Sequence, residues 1–204
     1  MLAWSIEAAV QSKCFDRVIV STDDTEIARV AEAYGAEVPF IRPAELSDDY
    51  TGTIPVVAHA AQWQNEHGAQ CGQVCCIYAT APFVRFVDLL DGLEELTRTG
   101  ADYAFTVTSY AFPIQRALRM TKEGRVQMFQ PEHFHTRSQD LEETWHDAGQ
   151  FYWGKAEAWL TLKPIFSAGA APIFLPRYRV QDIDTQEDWE RAEWLHKALT
   201  ESKA

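Results

Sequence analysis

The 204 residues are 47% hydrophobic and 12% aromatic, which is enough to bury one substantial core, so we expect a single domain, 1–204. The formal net charge of −12 argues against nucleic acid and anionic membrane as partners, because both bind basic surfaces. Apolar runs are too short to span a membrane and the N-terminal residues lack the cationic leader of a signal peptide, so we expect a cytoplasmic protein. Four cysteines lack the spacing of zinc ligands and are expected to be buried, reduced thiols: Cys14, Cys71, Cys75 and Cys76.

Helix and strand patterns alternate along most of the chain. An apolar stripe in "LAWSIEAAVQSKC" predicts that the chain begins inside a helix. The run "DRVIVSTDD" predicts a strand, and Asp23 with Glu26 predicts the N-terminal cap of the helix that follows. Later elements are predicted as strands in "AEVPFIRP", 73–79, "ADYAFTVTSY" and "DAGQFYW", and as helices over 53–66 and in "FVDLLDGLEELTRTG" and "KAEAWL". This alternation predicts an α/β fold in which a mostly parallel sheet carries helices on both faces.

The segment 113–147 interrupts the alternation. Two runs of alternating polarity flank residues 122–124, which predicts a β-hairpin. We expect this insertion either to pack on a second copy of the chain, giving a homodimer and contributing to the substrate site, or to form an ordinary antiparallel edge. The polar stretch with His133, His135 and His146 is expected to be a solvated loop, with metal or substrate binding as the alternative.

Two carboxylates flank a single isoleucine near the end of the chain. Residues 173–184 predict an extended segment, in which Asp182 and Asp184 point to one face roughly 6.6 Å apart. Thr185 and Asp188 predict a capping box and a helix from about residue 186. Carboxylates between the end of a strand and the start of a helix suit Mg²⁺ bound to a phosphate. The alternative is that one carboxylate helps to cap the helix and the other is solvated.

Four other side chains follow predicted strands, lie in a loop between elements or begin a helix. Asp23 either meets a ligand or caps a helix. Arg42 supplies a fixed cation in an irregular loop and Thr53 a hydroxyl at a helix start, although turn chemistry alone also explains both. Tyr78 ends an apolar strand, at the edge where α/β sheets bind ligands.

Six segments, in chain order, resemble the cytidylyltransferases that activate sialic-acid-like sugars: "LAWSIEAA", "VIVSTDD", "RPAELSDDYTGT", "YATAPFVR", "DAGQFYW" and "DIDTQEDWERAE". The likeness covers nearly the whole chain. It implies a three-layer, Rossmann-like nucleotide-diphospho-sugar transferase fold. It also implies a reaction in which CTP and a nine-carbon 2-keto sugar acid, a nonulosonic acid, give a CMP-sugar and pyrophosphate with Mg²⁺.

The resemblance assigns roles to individual residues. Asp182 and Asp184 fall at the metal and are the expected catalytic residues, with Asp184 the more direct ligand. Arg42 and Thr53 fall where the family holds the cytidine part, and we expect Asp23 to join them in nucleotide binding.

The sugar site departs from the N-acetylneuraminate enzymes. Tyr78 stands where those enzymes carry a glutamine, which favours pseudaminic acid as the substrate, with N-acetylneuraminate or a related nonulosonate as the alternative. Gln150 and Phe151 are expected to line the sugar pocket.

Three other interpretations compete with this one. "DIDT" fits the D-x-D-x-T motif of haloacid-dehalogenase-type phosphatases, but that motif belongs to a first strand, and metal-dependent glycosyltransferases carry their D-x-D in mid-chain. A third possibility is a catalytically silent nucleotide-binding or dimerisation module. The family resembled carries an apolar strand and a phosphate loop before the equivalent of "LAWSIEAA", so we expect the chain as given to bind the triphosphate poorly.

Overall fold

The structure is a computed structural model and describes residues 1–68 and 70–201. Within these residues the helices are α1 (Leu2–Ser12), α2 (Thr25–Ala33), α3 (Thr53–His67), α4 (Phe86–Thr99), α5 (Ala156–Leu160) and α6 (Gln186–Glu201). The strands are β1 (Gln73–Ile77), β2 (Tyr103–Ser109), β3 (Leu118–Met120), β4 (Val126–Met128), β5 (Trp145–Lys155) and β6 (Ala170–Phe174). In the part of the chain that is described, no helix combines the length and the apolar content needed to cross a membrane.

The main sheet has the strand order β1-β5-β2-β6. Strand β5 pairs antiparallel with both of its neighbours, whereas β2 and β6 are parallel, so β1, β2 and β6 all run in one direction. The predicted α/β fold is therefore confirmed, with one antiparallel strand inside the sheet. Because β1, β2 and β6 share a direction, their carboxyl ends lie at the same edge as the first half of β5. We call this side of the sheet the carboxyl edge.

Helices cover both faces of the sheet, which gives three layers. On one face, α1 and α4 pack against Phe151 and Trp153 of β5. On the other face, α3 and α5 pack around Tyr152 and the fully buried Trp159. Alternate residues of β5 thus serve two cores, as the two-residue period of a strand requires.

The predicted strands near the N-terminus are much shorter than expected. The segments "DRVIVSTDD" and "AEVPFIRP" form no strand ladder in the described structure and share one parallel bridge, between Ile19 and Glu37. The cap of α2 is Asp24, which accepts from the backbone N–H groups of Glu26 and Ile27, so the prediction that Asp23 caps this helix was wrong.

The C-terminal prediction was correct for the helix and wrong for the strand. Strand β6 ends at Phe174, and a short turn over Arg177–Arg179 interrupts the extended path predicted for 173–184. Thr185 and Asp188 form the predicted capping box, in which each side chain pairs with the other residue's backbone N–H. Asp182 and Asp184 therefore lie in a loop between β6 and α6 and not on a strand.

The segment 113–147 contains the predicted hairpin. Strands β3 and β4 pair antiparallel outside the main sheet, and Gly124 turns the chain with a φ of 72°. Apolar side chains at or near this hairpin remain exposed: Phe112, Leu118, Met120, Val126, Phe129 and Phe134.

Candidate active site

A bulge in β5 shapes the carboxyl edge. Phe105 of β2 faces Tyr152, but Val107 faces Asp147, so two steps along β2 match five steps along β5. The extra residues leave the ladder at Gly149, whose φ of 61° is a conformation that glycine adopts without the Cβ penalty of other residues. The bulge brings this part of β5 against the loop after β6. The backbone of Gly149 therefore lies beneath the side chain of Asp182.

Asp147 is a carboxylate that the sequence analysis did not select. The backbone N–H of Gly149 donates to its Oδ1 at 3.0 Å, and the hydroxyl of Tyr152 donates to its Oδ2. Burial, followed by the hydrogen bond to Asp147, raises the pKa of Tyr152, so this phenol stays a neutral donor. A glycine inside a predicted strand signals a bulge, and this signal would have directed attention to Asp147.

Asp182, one of the two predicted metal ligands, lies above this bulge. A Cβ placed on Gly149 would be 3.6 Å from Cγ of Asp182, so the Asp182 carboxylate contacts the bulge closely. Burial raises the pKa of Asp182, and the nearby charges of Asp184 and Asp147 add to the shift. Repulsion among these carboxylates makes the carboxyl edge a place of negative potential, which a cation would relieve.

The donor set at this edge suits Mg²⁺. Within residues 1–68 and 70–201, no three acidic, histidine or cysteine side chains form a cluster that would hold a metal by themselves. Mg²⁺ is usually held by one or two carboxylates together with substrate phosphates and water. Asp182 and Asp184 match this pattern, because they supply hard oxygen ligands without enclosing the site.

A pair of hydroxyl groups joins helix α3 to the same edge. Thr53 Oγ1 and the Tyr78 hydroxyl are 2.8 Å apart, and the Tyr78 ring lies 5.2 Å from the ring of Tyr152, centroid to centroid. The backbone N–H of Tyr78 donates to the carbonyl of Gln150 at 2.9 Å. The structure thus brings Thr53, Tyr78 and Gln150 together beside Asp147.

Arg42 and Asp23 contact each other. Arg42 Nη2 donates to Asp23 Oδ1 at 3.3 Å, and Arg42 Nε donates to Ser47 Oγ at 3.0 Å. The Arg42 backbone N–H also donates to the carbonyl of Thr22. Two of the three predicted nucleotide-binding residues therefore occupy one patch, where hydrogen bonds to Asp23 and Ser47 hold the Arg42 guanidinium.

Gln150 and Phe151 have different surroundings. Gln150 is 3% exposed, its Nε2 donates to the carbonyl of Arg179 at 2.6 Å, and its Oε1 has no partner in the described part of the chain. Phe151 is fully buried in the core beneath α4, where a Cβ on Gly92 would come within 2.8 Å of its ring. The structure does not support a sugar contact for Phe151, because its side chain packs in the core instead of facing the edge.

A three-layer α/β fold with carboxylates and hydroxyl groups at the carboxyl edge is typical of nucleotide-binding transferases. A family model described as "Cytidylyltransferase" matches residues 1–199, and the chain belongs to this family. It is 40% identical over 202 residues, 99% of this chain and 87% of the relative, to the pseudaminic acid cytidylyltransferase of Campylobacter jejuni subsp. jejuni strain 81-176. It is 30% identical over 200 residues, 95% of this chain and 44% of the relative, to N-acylneuraminate cytidylyltransferase A of Danio rerio. The fold is similar to that of a CMP:2-keto-3-deoxy-manno-octonic acid synthetase in complex with CTP, with a TM-score of 0.64, 12% identity, and coverage of 96% of this chain and 88% of that one.

Proposed function

We propose that this protein transfers CMP from CTP to a nonulosonic acid, namely pseudaminic acid, and releases pyrophosphate. The observation that carries the proposal is the convergence of Asp182, Asp147 and the Thr53–Tyr78 pair on one edge of a cytidylyltransferase fold. The choice of sugar is supported by the 40% identity to a pseudaminic acid cytidylyltransferase.

The reaction needs positioning more than covalent catalysis. A hydroxyl of the sugar attacks the α-phosphorus of CTP in line, and pyrophosphate leaves from the opposite side. The guanidinium of Arg42, which donates to Ser47 and Asp23, supplies a fixed positive charge for binding the nucleotide. Thr53 supplies a hydroxyl at the start of α3. Holding the two substrates in this alignment lowers the entropic part of the barrier.

Asp182 and Asp184 would hold a Mg²⁺ ion at the carboxyl edge. When bound, the ion neutralises charge on phosphate oxygens. Asp147, fixed by Gly149 and Tyr152, adds negative charge at the same edge and thereby favours a cation there.

Gln150 and Tyr78 are the residues that we assign to the sugar. Gln150 Oε1 is buried and has no hydrogen-bond donor among the described residues, which costs about 1–3 kcal/mol, so an N–H or O–H group of a bound sugar that reached it would be stabilised. The Tyr78 hydroxyl hydrogen-bonds to Thr53, which we assign to the nucleotide. A sugar bound at Tyr78 would therefore lie beside the nucleotide.

The assay for this proposal is pyrophosphate release with CTP and MgCl₂ and one of three acids: pseudaminic, N-acetylneuraminic or legionaminic acid. We expect the highest kcat/KM with pseudaminic acid, and CMP-sugar as the product by mass spectrometry. Asp184→Asn should abolish transfer without changing the circular dichroism spectrum, and Glu187→Gln, a change of equal charge in the first turn of α6, should leave it near normal. CTP binding without turnover on any acid would favour a silent nucleotide-binding module.

We further propose that two copies associate through the segment 113–147. Phe112 is 82% exposed, Met120 67% and Phe129 59%, and so large an apolar surface is typical of an interface. Light scattering of the wild-type protein should give the mass of a dimer, and Met120→Glu should give that of a monomer. A monomeric wild type at micromolar concentration would contradict this proposal.

We propose a cytoplasmic location because the cysteines, all within the described residues, form no disulfide. All four cysteines are free, as expected in a reducing compartment.

A further inference from the structure

A buried ion pair lies at the base of the loop that carries Asp182 and Asp184. Nη2 of Arg179 donates to both carboxylate oxygens of Asp88, at 2.9 and 2.8 Å. Arg179 is 5% exposed and Asp88 7%, so water screens the pair very little. Because two charges must be desolvated, well-packed apolar residues stabilise a fold as well as such a pair or better. Stability alone therefore does not explain why this pair is buried at the base of the loop.

Asp88 is held rigidly relative to β5. It lies in the first turn of α4, and this helix contacts β5 closely at Gly92, where a Cβ would be 2.7 Å from Trp153 Cδ1. The indole N–H of Trp153 donates to the carbonyl of Leu89 at 2.9 Å. Helix α4 therefore cannot shift along β5 without a steric clash or a broken hydrogen bond, and the Asp88 carboxylate is a fixed point.

Arg179 transfers this fixed position to the main chain of the loop. Its side chain reaches Asp88, and its carbonyl accepts from Nε2 of Gln150 in the β5 bulge at 2.6 Å. The loop that follows is closed by Gln181 at its start, whose Nε2 donates to Asp188 of the α6 capping box at 2.9 Å. Asp182 and Asp184 lie between Gln181 and Asp188, in the segment that this hydrogen bond closes.

We propose that Asp88 and Arg179 are positioning residues that fix the Asp182–Asp184 loop against the β5 bulge in the geometry that binds the divalent cation. The inference rests on the proposed function, because the cation is part of that proposal. Arg179 and Asp88 act through the loop and the helix and do not themselves contact CTP or sugar.

The test separates positioning from stability. Asp88→Asn removes one charge of the pair, whereas the double variant Asp88→Leu/Arg179→Met removes both and leaves no unpaired charge. Leu96→Ala is the matched control, because Leu96 is 1% exposed in the same helix, far from Asp88. For each protein we would measure Tm, Mn²⁺ affinity in the presence of CTP by electron paramagnetic resonance, and amide exchange of residues 180–184.

We expect Asp88→Asn and the double variant to bind Mn²⁺ ten- to hundred-fold more weakly, which is the usual cost of losing a residue that orients metal ligands. The double variant should regain a Tm near that of the wild type, and still show faster exchange at 180–184. Leu96→Ala should lower Tm and leave the Mn²⁺ affinity unchanged. Should Asp88→Asn fail to fold, Arg179→Lys keeps the pair charged and should give a smaller loss of affinity.

Two results would overturn the inference in distinguishable ways. A double variant with wild-type Mn²⁺ affinity, in a protein whose wild type binds Mn²⁺ and makes CMP-sugar, would show that the pair serves stability alone and would leave the proposed function intact. A wild-type protein that binds no Mn²⁺ with CTP would overturn the metal part of the proposed function and this inference with it.

Discussion

Replacing Gly149 with alanine tests whether the β5 bulge shapes the acidic edge. At a φ of 61° a Cβ costs about 1–2 kcal/mol, and the reduced freedom of the unfolded chain offsets about 0.4–1 kcal/mol of this. The net loss is about 1 kcal/mol, which lowers the Tm of a domain of this size by roughly 2–4 °C. The new methyl group would also lie 3.6–3.7 Å from Cγ and both carboxylate oxygens of Asp182, where it blocks one approach to this carboxylate. We therefore expect kcat/KM to fall at least about ten-fold, well beyond what the change in stability explains.

Gly100→Ala provides the matched control. Gly100 has a φ of 66°, and a Cβ there meets no other atom within 4 Å, so the backbone cost is the same without a contact at the site. Both variants should lose similar Tm in differential scanning calorimetry, but only Gly149→Ala should lose pyrophosphate release. Equal activities in the two variants would refute the argument that the bulge supports the site.

Three further predictions concern single groups. Tyr152→Phe removes a donor to the Asp147 carboxylate, so thermal unfolding should show a free energy of unfolding lower by about 1.5–3 kcal/mol, and CMP transfer should fall. Thr200→Val, which removes a hydroxyl that donates to the carbonyl of His196 in α6, is the control and should leave transfer unchanged. Burial raises the pKa of Cys76 to about 12 from 9.0 and lowers its thiolate fraction at pH 8 roughly a thousand-fold, so iodoacetamide should alkylate it much more slowly in the native protein than in urea; equal rates would contradict this. The raised pKa of Asp182 means that its contribution to stability is present below its unfolded pKa and lost as the pH rises through its folded pKa. Asp182→Asn should therefore raise the free energy of unfolding of the metal-free protein at pH 7, and a lower value from urea titration would contradict the repulsion described here.

Local signals in the sequence predicted the helices and the hairpin. The capping box of Thr185 and Asp188 marked the start of α6, and the turn at Gly124 marked the hairpin, because hydrogen bonds between near neighbours determine both features. The strand predictions were less successful where pairing is not local. The run "DRVIVSTDD" has the composition of a strand, but its ladder reduces to one bridge between Ile19 and Glu37.

The candidate site could be predicted only in part, because some of its contacts also depend on pairing between distant segments. Asp182 was selected from a short motif, although the strand on which it was placed ends at Phe174. Asp147 was missed although Gly149 inside its predicted strand signals a bulge, and the position of Asp147 opposite Val107 depends on a register between β5 and β2 that neither strand alone determines. The pairing of Asp88 with Arg179 spans 91 residues and leaves no periodic signal in the sequence.

Three features that cost stability lie together at the carboxyl edge. A strand residue with positive φ, a carboxylate beside other carboxylates and an unpaired amide oxygen all lie there, at Gly149, Asp182 and Gln150. Two buried polar groups near the opposite end of the sheet have partners: the Trp159 N–H donates to the carbonyl of Val74, and the Tyr103 hydroxyl donates to that of Lys163. A chain selected for stability alone would not concentrate these costs at one edge. Their location favours a ligand that carries a cation to the carboxylates and a hydrogen-bond donor to Gln150, as a metal-bound triphosphate and an acylated sugar acid would.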